Sequence, residues 1–167
     1  MKTIAALKDL FIEQGKELYN SQEQEINILT KFRKSINSED LREIVRQYIK
    51  QVWRQQGRLE NAFDDYGIEL ENEHSEPFGA LINKRNQWIN KIADTRLKDI
   101  EIVNAIQHFN HFKIAGYIAM VSYANELEDS SANRLFSISL EEERKMDRKM
   151  TKLTKQLNHE ILSPSST

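Results

Sequence analysis

The chain has 167 residues, of which 30% are charged and 39% are hydrophobic, and its formal net charge is −2. This balance excludes the overall basic field that nucleic-acid-binding proteins use, so we expect no nucleic-acid partner. The sequence contains no cysteine, which excludes disulfides and thiolate metal sites and fits a reducing, cytoplasmic compartment. No stretch approaches ~18 consecutive apolar residues, so we expect no membrane-spanning segment.

Five helices are predicted in chain order, because two prolines and five glycines leave few helix breakers. Apolar residues recur in each segment at spacings of three and four, which is typical of helices that bury one face. The predicted ranges are 3–32, 39–66, 76–92, 99–127 and 131–161. Ser38 and Ser75 are predicted N-caps, Gly67 is a predicted left-handed residue after a helix, and Asp129 or Ser130 is expected to cap the last helix.

Four of these helices are long and one is short, which predicts an all-α fold. The arrangement that suits them is an antiparallel four-helix bundle with an extra short helix between the second and third long helices. We expect the bundle to occupy residues 1–162 and a disordered tail to occupy residues 163–167.

Each long helix interrupts its apolar stripe with polar side chains near its mid-length. The middles of antiparallel helices meet at one level, and residues three or four apart face the same way, so a polar layer is predicted inside the bundle. Its predicted members are Gln22, Tyr48, Gln51, Asn110, His111, Lys113, Glu143 and Asp147. Ferritin-like bundles use this geometry to hold two metal ions between glutamates and histidines. The alternative for any one of these positions is a solvated helix face.

Segments along residues 3–157 resemble the bacterial YciE/YciF-type stress proteins of the ferritin-like superfamily. These segments are, in chain order, LKDLFIEQGKELYNSQEQEI, RLENAFDDYGIE, EPFGALI, NAIQHFNHFKIAGYIAMVSYA and SLEEERKMDRKMTKL. The family pattern at these places is LYxAEKQ, HxxET followed by QxxRLE, EHYExAxY and LxEExxxD. The resemblance implies a ferritin-like bundle that forms a homodimer and holds a two-metal centre.

The chain departs from the family pattern at most of the positions that the resemblance implies for metal ligands. Gln22 replaces a glutamate of the first helix, and Tyr48 and Gln51 replace a histidine and a glutamate of the second helix. Asn110 and Lys113 replace two glutamates of the third long helix. Because amides are weak metal ligands and an ammonium group repels cations, we expect no bound metal and no cofactor.

The fourth long helix keeps its acids, since Glu143 and Asp147 match the family pattern, and His111 is retained in the third. We expect Lys113 to take over the electrostatic role of the metals by pairing with Glu143, and with either Asp147 or Glu25. We expect such a buried ion pair to fix how the helices align along one another rather than to add much stability.

These residues predict a non-catalytic protein with a structural, binding or stress-associated role. The first alternative is a di-iron or di-manganese enzyme whose unusual ligands are Glu143, Asp147, His111 and Glu25. The second alternative is a helical adaptor or scaffold, which would bind another protein.

A few further residues are open to more than one interpretation. His108 and His111 are three residues apart and could share one metal, or one could be exposed while the other is hydrogen-bonded in the core. Residues 141–149 contain three glutamates followed mainly by basic residues, which indicates a solvated face, with a nucleic-acid surface as the weaker alternative. Trp53 and Trp88 are predicted to be packing residues, with stacking against a ligand as the weaker alternative.

Overall fold

The computed structural model describes residues 4–71 and 73–163, and every regular element in these two ranges is a helix. None of the helices in this part of the chain is both long and apolar enough to cross a membrane. The elements are α1 (Leu7–Arg33), α2 (Glu39–Asp64), α3 (Glu76–Ile89), α4 (Thr95–Glu126) and α5 (Ser130–Leu162).

The four long helices form a closed ring in the order α1, α2, α5, α4. Neighbouring helices in the ring are antiparallel. Between α1 and α2, Tyr19 is hydrogen-bonded to Glu60, and Glu23, further along α1, is hydrogen-bonded to Gln56, which comes earlier in α2. The contacts between the other neighbouring pairs of the ring show the same antiparallel direction. Helices α2 and α4 therefore lie diagonally opposite each other and run in the same direction. For this reason the chain segment that connects the end of α2 to the start of α4 must run back along the whole length of the bundle. Helix α3 lies in this crossing and packs against α4 and α1, so the predicted all-α bundle with an extra short helix is confirmed.

Side-chain caps define where most of the helices begin. Ser38 and Ser75 accept hydrogen bonds from backbone N–H groups in the first turns of α2 and α3, as predicted. Of the two candidates for α5, Asp129 is the cap. Gly67 has a φ of +65°, the left-handed conformation that was expected after α2. Helix α4 begins at Thr95 rather than at residue 99, because the Asp94 carboxylate accepts from two backbone N–H groups of its first turn.

Two other predicted helix bounds are wrong by three or more residues, and the remaining bounds agree with the structure to within two residues. The first helix begins at Leu7, because the backbone N–H groups of Ala5 and Ala6 both donate to Asp9 at 3.0 Å and hold the preceding chain extended. Helix α3 ends at Ile89 rather than at residue 92, because the backbone after Ile89 forms turns that are tighter than an α-helix. The tail predicted over residues 163–167 lies outside the described residues from 164 onward, and the predicted extent 1–162 of the bundle stays a prediction.

The apolar core consists of two clusters, one toward each end of the bundle. One contains Phe32 and Phe109, whose ring centroids are 6.5 Å apart. The other contains Phe11 and Phe63, which stack with centroids 5.3 Å apart. All the buried polar side chains of the four long helices except Asp99 lie between these two clusters along the helices. Asp99 of α4 instead accepts hydrogen bonds from two backbone N–H groups just before α2, at the end of the bundle. The middle of the bundle is therefore the level at which polar groups from all four long helices replace the apolar core.

The two tryptophans do not belong to either cluster. Trp53 is 53% exposed and Trp88 is 43% exposed, so the prediction that they are packing residues is wrong. The charged ends of Lys84 and Arg85 lie over the Trp88 ring, 5.5 and 4.9 Å from its centroid. Cation–π contacts of this kind let a large aromatic ring remain at a surface without a hydrophobic pocket.

Candidate functional site

The candidate site is centred on the ammonium group of Lys113, which α4 places in the middle of the bundle. Its Nζ lies 2.6 Å from Glu25 Oε2 of α1 and 3.1 Å from Glu143 Oε1 of α5, and all three side chains are fully buried. The same nitrogen is 4.7 Å from the centroid of the Tyr48 ring. The predicted pairing of Lys113 with Glu143 is therefore present, and Glu25 rather than Asp147 is the second carboxylate.

Glu143 accepts hydrogen bonds on both of its oxygens. Oε2 accepts from the Tyr48 hydroxyl at 2.8 Å and from Asn110 Nδ2 at 2.6 Å. Besides the ammonium group, Oε1 accepts from Gln55 Nε2 at 2.8 Å and from Gln51 Nε2 at 3.3 Å. Donors from α2 and α4 thus satisfy both oxygens of a carboxyl group that burial removes from water.

The side chains around this ion pair offer more acceptors than donors. Gln22 donates its Nε2 hydrogen to the Tyr117 hydroxyl at 2.6 Å. Four buried acceptor oxygens have no hydrogen-bond donor among the described residues: Gln22 Oε1, Glu25 Oε1, Gln55 Oε1 and Asn110 Oδ1. Lys113 is the only buried cation in the described part of the chain, so it is the one positive charge that faces this acceptor-rich interior.

Burial and mutual charge set the protonation of the cluster. Burial raises the pKa of the Glu25 carboxyl to about 7, against the lowering effect of Lys113 and with a further raising effect of Glu143. Burial acts to lower the pKa of the Lys113 ammonium, but the two carboxylates outweigh it and raise that pKa above its ordinary value. Burial and the charge of Glu143 also raise the pKa of the Tyr48 hydroxyl well above its ordinary value. Near neutral pH, Lys113 is therefore charged and Tyr48 is a neutral donor, while the Glu25 carboxyl holds a proton more tightly than an exposed carboxyl does.

His111 and Asp147 do not join this cluster, so their predicted place in the polar layer is wrong. The His111 side chain is 63% exposed and its Nε2 lies 2.8 Å from Asp147 Oδ1 on the outer surface of α4 and α5. The reason is helix geometry, because successive residues are about 100° apart around the axis. Asn110 and Lys113 can both face inward only if the residue after Asn110 faces outward.

His108 is exposed as well, and its ring nitrogens have partners of their own. Nδ1 lies 2.8 Å from the carbonyl oxygen of Asn104, and Nε2 lies 2.7 Å from a guanidinium nitrogen of Arg85. His108 and His111 therefore contact different groups instead of sharing one ligand. The expectation that one of the two is hydrogen-bonded in the core is wrong.

Sequence reasoning left Gln55 out of the site, although the sequence contained a signal for it. Gln55 follows Tyr48 by seven residues, two helical turns, and therefore lies on the same face of α2. It also donates to Glu142 Oε2 at 3.1 Å. The Glu142 carboxylate in turn accepts two hydrogen bonds from Arg58, at 2.7 and 2.8 Å, which closes the polar layer toward solvent.

The side chains present do not fit a two-metal carboxylate centre. Two divalent cations need several anionic oxygens or neutral imidazoles, whereas this interior supplies two carboxylates that both contact an ammonium group. In the two described ranges, no three His, Asp or Glu side chains converge in a way that could hold a metal ion. The alternative ligand set is also divided, because Glu25 and Glu143 are buried while His111 and Asp147 lie at the surface.

Comparison with known proteins identifies relatives over nearly the whole chain. The family model described as Domain of unknown function (DUF892) matches residues 6–162. Protein YciF of Escherichia coli K12 is 25% identical over 154 residues, which cover 92% of this chain and 91% of that protein.

Two solved structures have the same fold as this chain. The structure of the E. coli stress protein YciF matches with a TM-score of 0.87 at 21% identity, covering 93% of this chain and 99% of that one. The structure of YcfI from Rhodopseudomonas palustris matches with a TM-score of 0.86 at 23% identity, covering 90% of this chain and 96% of that one.

Proposed function

The chain belongs to the DUF892 family, and on that premise we propose that it is a non-catalytic, ferritin-like helical protein in which a buried ion pair replaces a two-metal centre. The E. coli relative is described as a stress protein, and a stress-associated role of this chain is part of the proposal.

The observation that carries the proposal is the position of the Lys113 ammonium group between Glu25 and Glu143. A divalent cation bound to Glu143 would have to share that carboxylate with an ammonium nitrogen 3.1 Å away. Like charges at such separations repel strongly in an interior where water does not screen them. The lysine and a metal pair are therefore mutually exclusive occupants of the same site.

The neighbouring replacements support the same conclusion. Tyr48, Gln51 and Asn110 stand where the family resemblance implies metal ligands, and all three donate hydrogen bonds to Glu143. A metal ligand must present a lone pair to the cation, whereas these side chains present hydrogens to the acid. Their chemistry suits a retained carboxylate that has lost its metal.

Elemental analysis of protein purified without chelators tests this proposal. We expect iron and manganese far below one atom per chain, because the ammonium group excludes them. Stoichiometric iron or manganese that is lost when Glu143 is replaced would contradict the proposal.

The Lys113→Glu variant provides a matched positive test. It removes the ammonium group and adds a carboxylate, which leaves three acids at one level of the bundle. We expect Mn²⁺ to raise the melting temperature of this variant and to leave that of the wild type unchanged. Lys152→Glu, the same charge change at an exposed position of α5, is the control for metal bound at the surface.

We further infer that the protein is a cytoplasmic homodimer. The inference rests on the family resemblance and on the absence of cysteine, and exposed apolar side chains such as Trp53, Ile118 and Ile138 offer surface that a second copy would cover. Light scattering during size exclusion should give twice the 19.6 kDa mass of the chain, and a mass of one chain at micromolar concentration would contradict it.

A further inference from the structure

A cleft of about 260 Å³ lies between α2 and α5, on the surface side of the buried ion pair. Its apolar part is formed by Ile44 and Met146. Positive side chains line it from both helices: Arg54 extends from α2, and Lys145 and Lys149, one turn apart, extend from α5. The cleft therefore combines a small apolar floor with three cations on two opposing walls.

These three cations have no ion-pair partner among the described residues. The acid that lines the cleft is Glu142, and both of its oxygens already accept hydrogen bonds from Arg58 at 2.7 and 2.8 Å. By contrast, Arg148 on the outer face of α5 is paired with Glu141 at 3.0 Å. Glu142 offsets part of the charge of Arg54, and the charges of the two lysines are left for a ligand to neutralise.

Gln51, which is half-buried, also lines the cleft. Its Nε2 donates to Glu143 Oε1 at 3.3 Å, so the buried carboxylate lies directly behind it. An anion that entered deeper would meet the negative charge of Glu143. This limits an anionic group to the outer part of the cleft, within reach of the three cations.

We propose that this cleft binds a small phosphorylated molecule, with its phosphate group held by Arg54, Lys145 and Lys149. A phosphate ester carries about two negative charges at neutral pH, which suits a cleft lined by three cations better than the one charge of a carboxylate does. A guanidinium group can bind two phosphate oxygens at once, and each lysine supplies a point charge. The apolar floor suits the carbon skeleton of the ligand, and the volume suits a molecule smaller than a nucleotide cofactor.

This proposal is independent of the proposed metal replacement, because none of the three cations contacts the buried ion pair. Titration of ¹⁵N-labelled protein with inorganic phosphate and with phenyl phosphate, at constant ionic strength, tests it. We expect saturable shifts of backbone amide signals confined to residues 44–54 of α2 and 142–149 of α5. Phenyl phosphate should bind more tightly than inorganic phosphate, because it adds an apolar group over Ile44 and Met146.

Single substitutions distinguish the cleft from general surface charge. Lys145→Gln and Lys149→Gln should each weaken the binding of phenyl phosphate by roughly 10-fold, as expected for one lost charge-assisted contact. Lys155→Gln makes the same charge change on α5 outside the cleft and should leave the affinity within about 2-fold, the scale of screened surface charge. Absence of saturation, or equal losses in all three variants, would overturn the proposal. Tighter binding of a short oligonucleotide, with shifts spread beyond the cleft, would also overturn it in favour of a nucleic-acid surface.

Discussion

Lys113, Glu25 and Glu143 are three ionisable side chains in an interior that water does not reach. Removing charged groups from water costs several kcal/mol for each ion, and mutual attraction offsets this only when the geometry is good and the remaining polar atoms are satisfied. Glu143 meets this condition with four side-chain donors, whereas Glu25 has one oxygen without a donor among the described residues. The cluster is therefore more sensitive to loss of its cation than to loss of Glu25.

Lys113→Ala should lower the free energy of unfolding by ~3–5 kcal/mol, because it leaves buried carboxylates without a counter-charge. Urea-induced unfolding followed by circular dichroism measures this change. Lys152→Ala, which truncates an exposed lysine of α5, is the matched control and should change the free energy by less than about 0.5 kcal/mol. If Lys113→Ala unfolds at the same urea concentration as the wild type, the ammonium group is not part of the core.

Glu25 makes stability depend on pH with a defined sign. Its pKa is raised to about 7 in the folded protein from an ordinary value of 4.5, so the folded state holds the proton more tightly than the unfolded state does. The resulting contribution of Glu25 to the free energy of unfolding is fully present below about pH 4.5 and is lost as the pH rises through 7. The free energy of unfolding falls over this range by about 3 kcal/mol at most. Glu25→Gln cannot ionise, so its free energy of unfolding should decline less than that of the wild type between pH 5 and pH 8.

Urea unfolding of both proteins at these two pH values measures the difference. Glu13→Gln, at an exposed position of the same helix, should follow the wild type and serves as the control. Parallel pH dependence in Glu25→Gln and the wild type would show that Glu25 is ionised at little cost, contrary to its burial.

At the scale of the helices, capping residues and apolar spacing in the sequence predicted the features that depend on neighbouring residues alone. Ser38 and Ser75 were identified as caps because a hydroxyl before a helix has one common use. The start of α4 was missed because Asp94 precedes a polar first turn, and the apolar periodicity becomes visible only from Ile100. The inward positions of Asn110 and Lys113 followed from helical spacing, whereas their pairing partner Glu25 depended on how α1 lies against α4, which spacing alone does not determine.

Two glycines in helix interiors should respond in opposite directions to alanine. A Cβ atom on Gly15 would overlap the Phe63 ring, which is stacked on Phe11 and cannot move away, so Gly15→Ala should destabilise the protein by roughly 1–3 kcal/mol. A Cβ atom on Gly57 meets nothing within 4 Å. Gly57→Ala should therefore stabilise the protein by roughly 0.5–1 kcal/mol, because alanine loses less backbone freedom on forming a helix.

Thermal or urea unfolding of the two variants side by side checks this pair, and each is the control for the other. If both variants were more stable than the wild type, the contact between α1 and α2 would be looser than the stacked rings indicate.

At the scale of the whole molecule, the polar layer connects all four long helices at one level. Lys113 of α4 contacts acids of α1 and α5, and Tyr48 of α2 donates to the same acid of α5. The two apolar clusters on either side would tolerate small shifts of one helix along another, but the ion pair and its hydrogen bonds would not. We infer that the polar layer fixes the register of the helices in the bundle. Buried polar groups specify register more reliably than they add stability.

The fold as a whole was more predictable than the site. Five helices, few breakers and one long connection leave few ways to bury four amphipathic stripes, and the bundle follows. The site depends on side-chain directions at the middle of each helix, where a single residue step moves a group from the core to the surface. This is why Glu143 was placed correctly and His111 was not.

Anomalous diffraction at the iron and manganese edges, from crystals of protein purified without chelators, tests most directly whether an ammonium group has replaced the metals. We predict electron density for the Lys113 nitrogen between Glu25 and Glu143, and no anomalous peak within coordinating distance of either acid. A strong anomalous peak beside Glu143, or a Lys113 side chain that extends into solvent, would contradict the account.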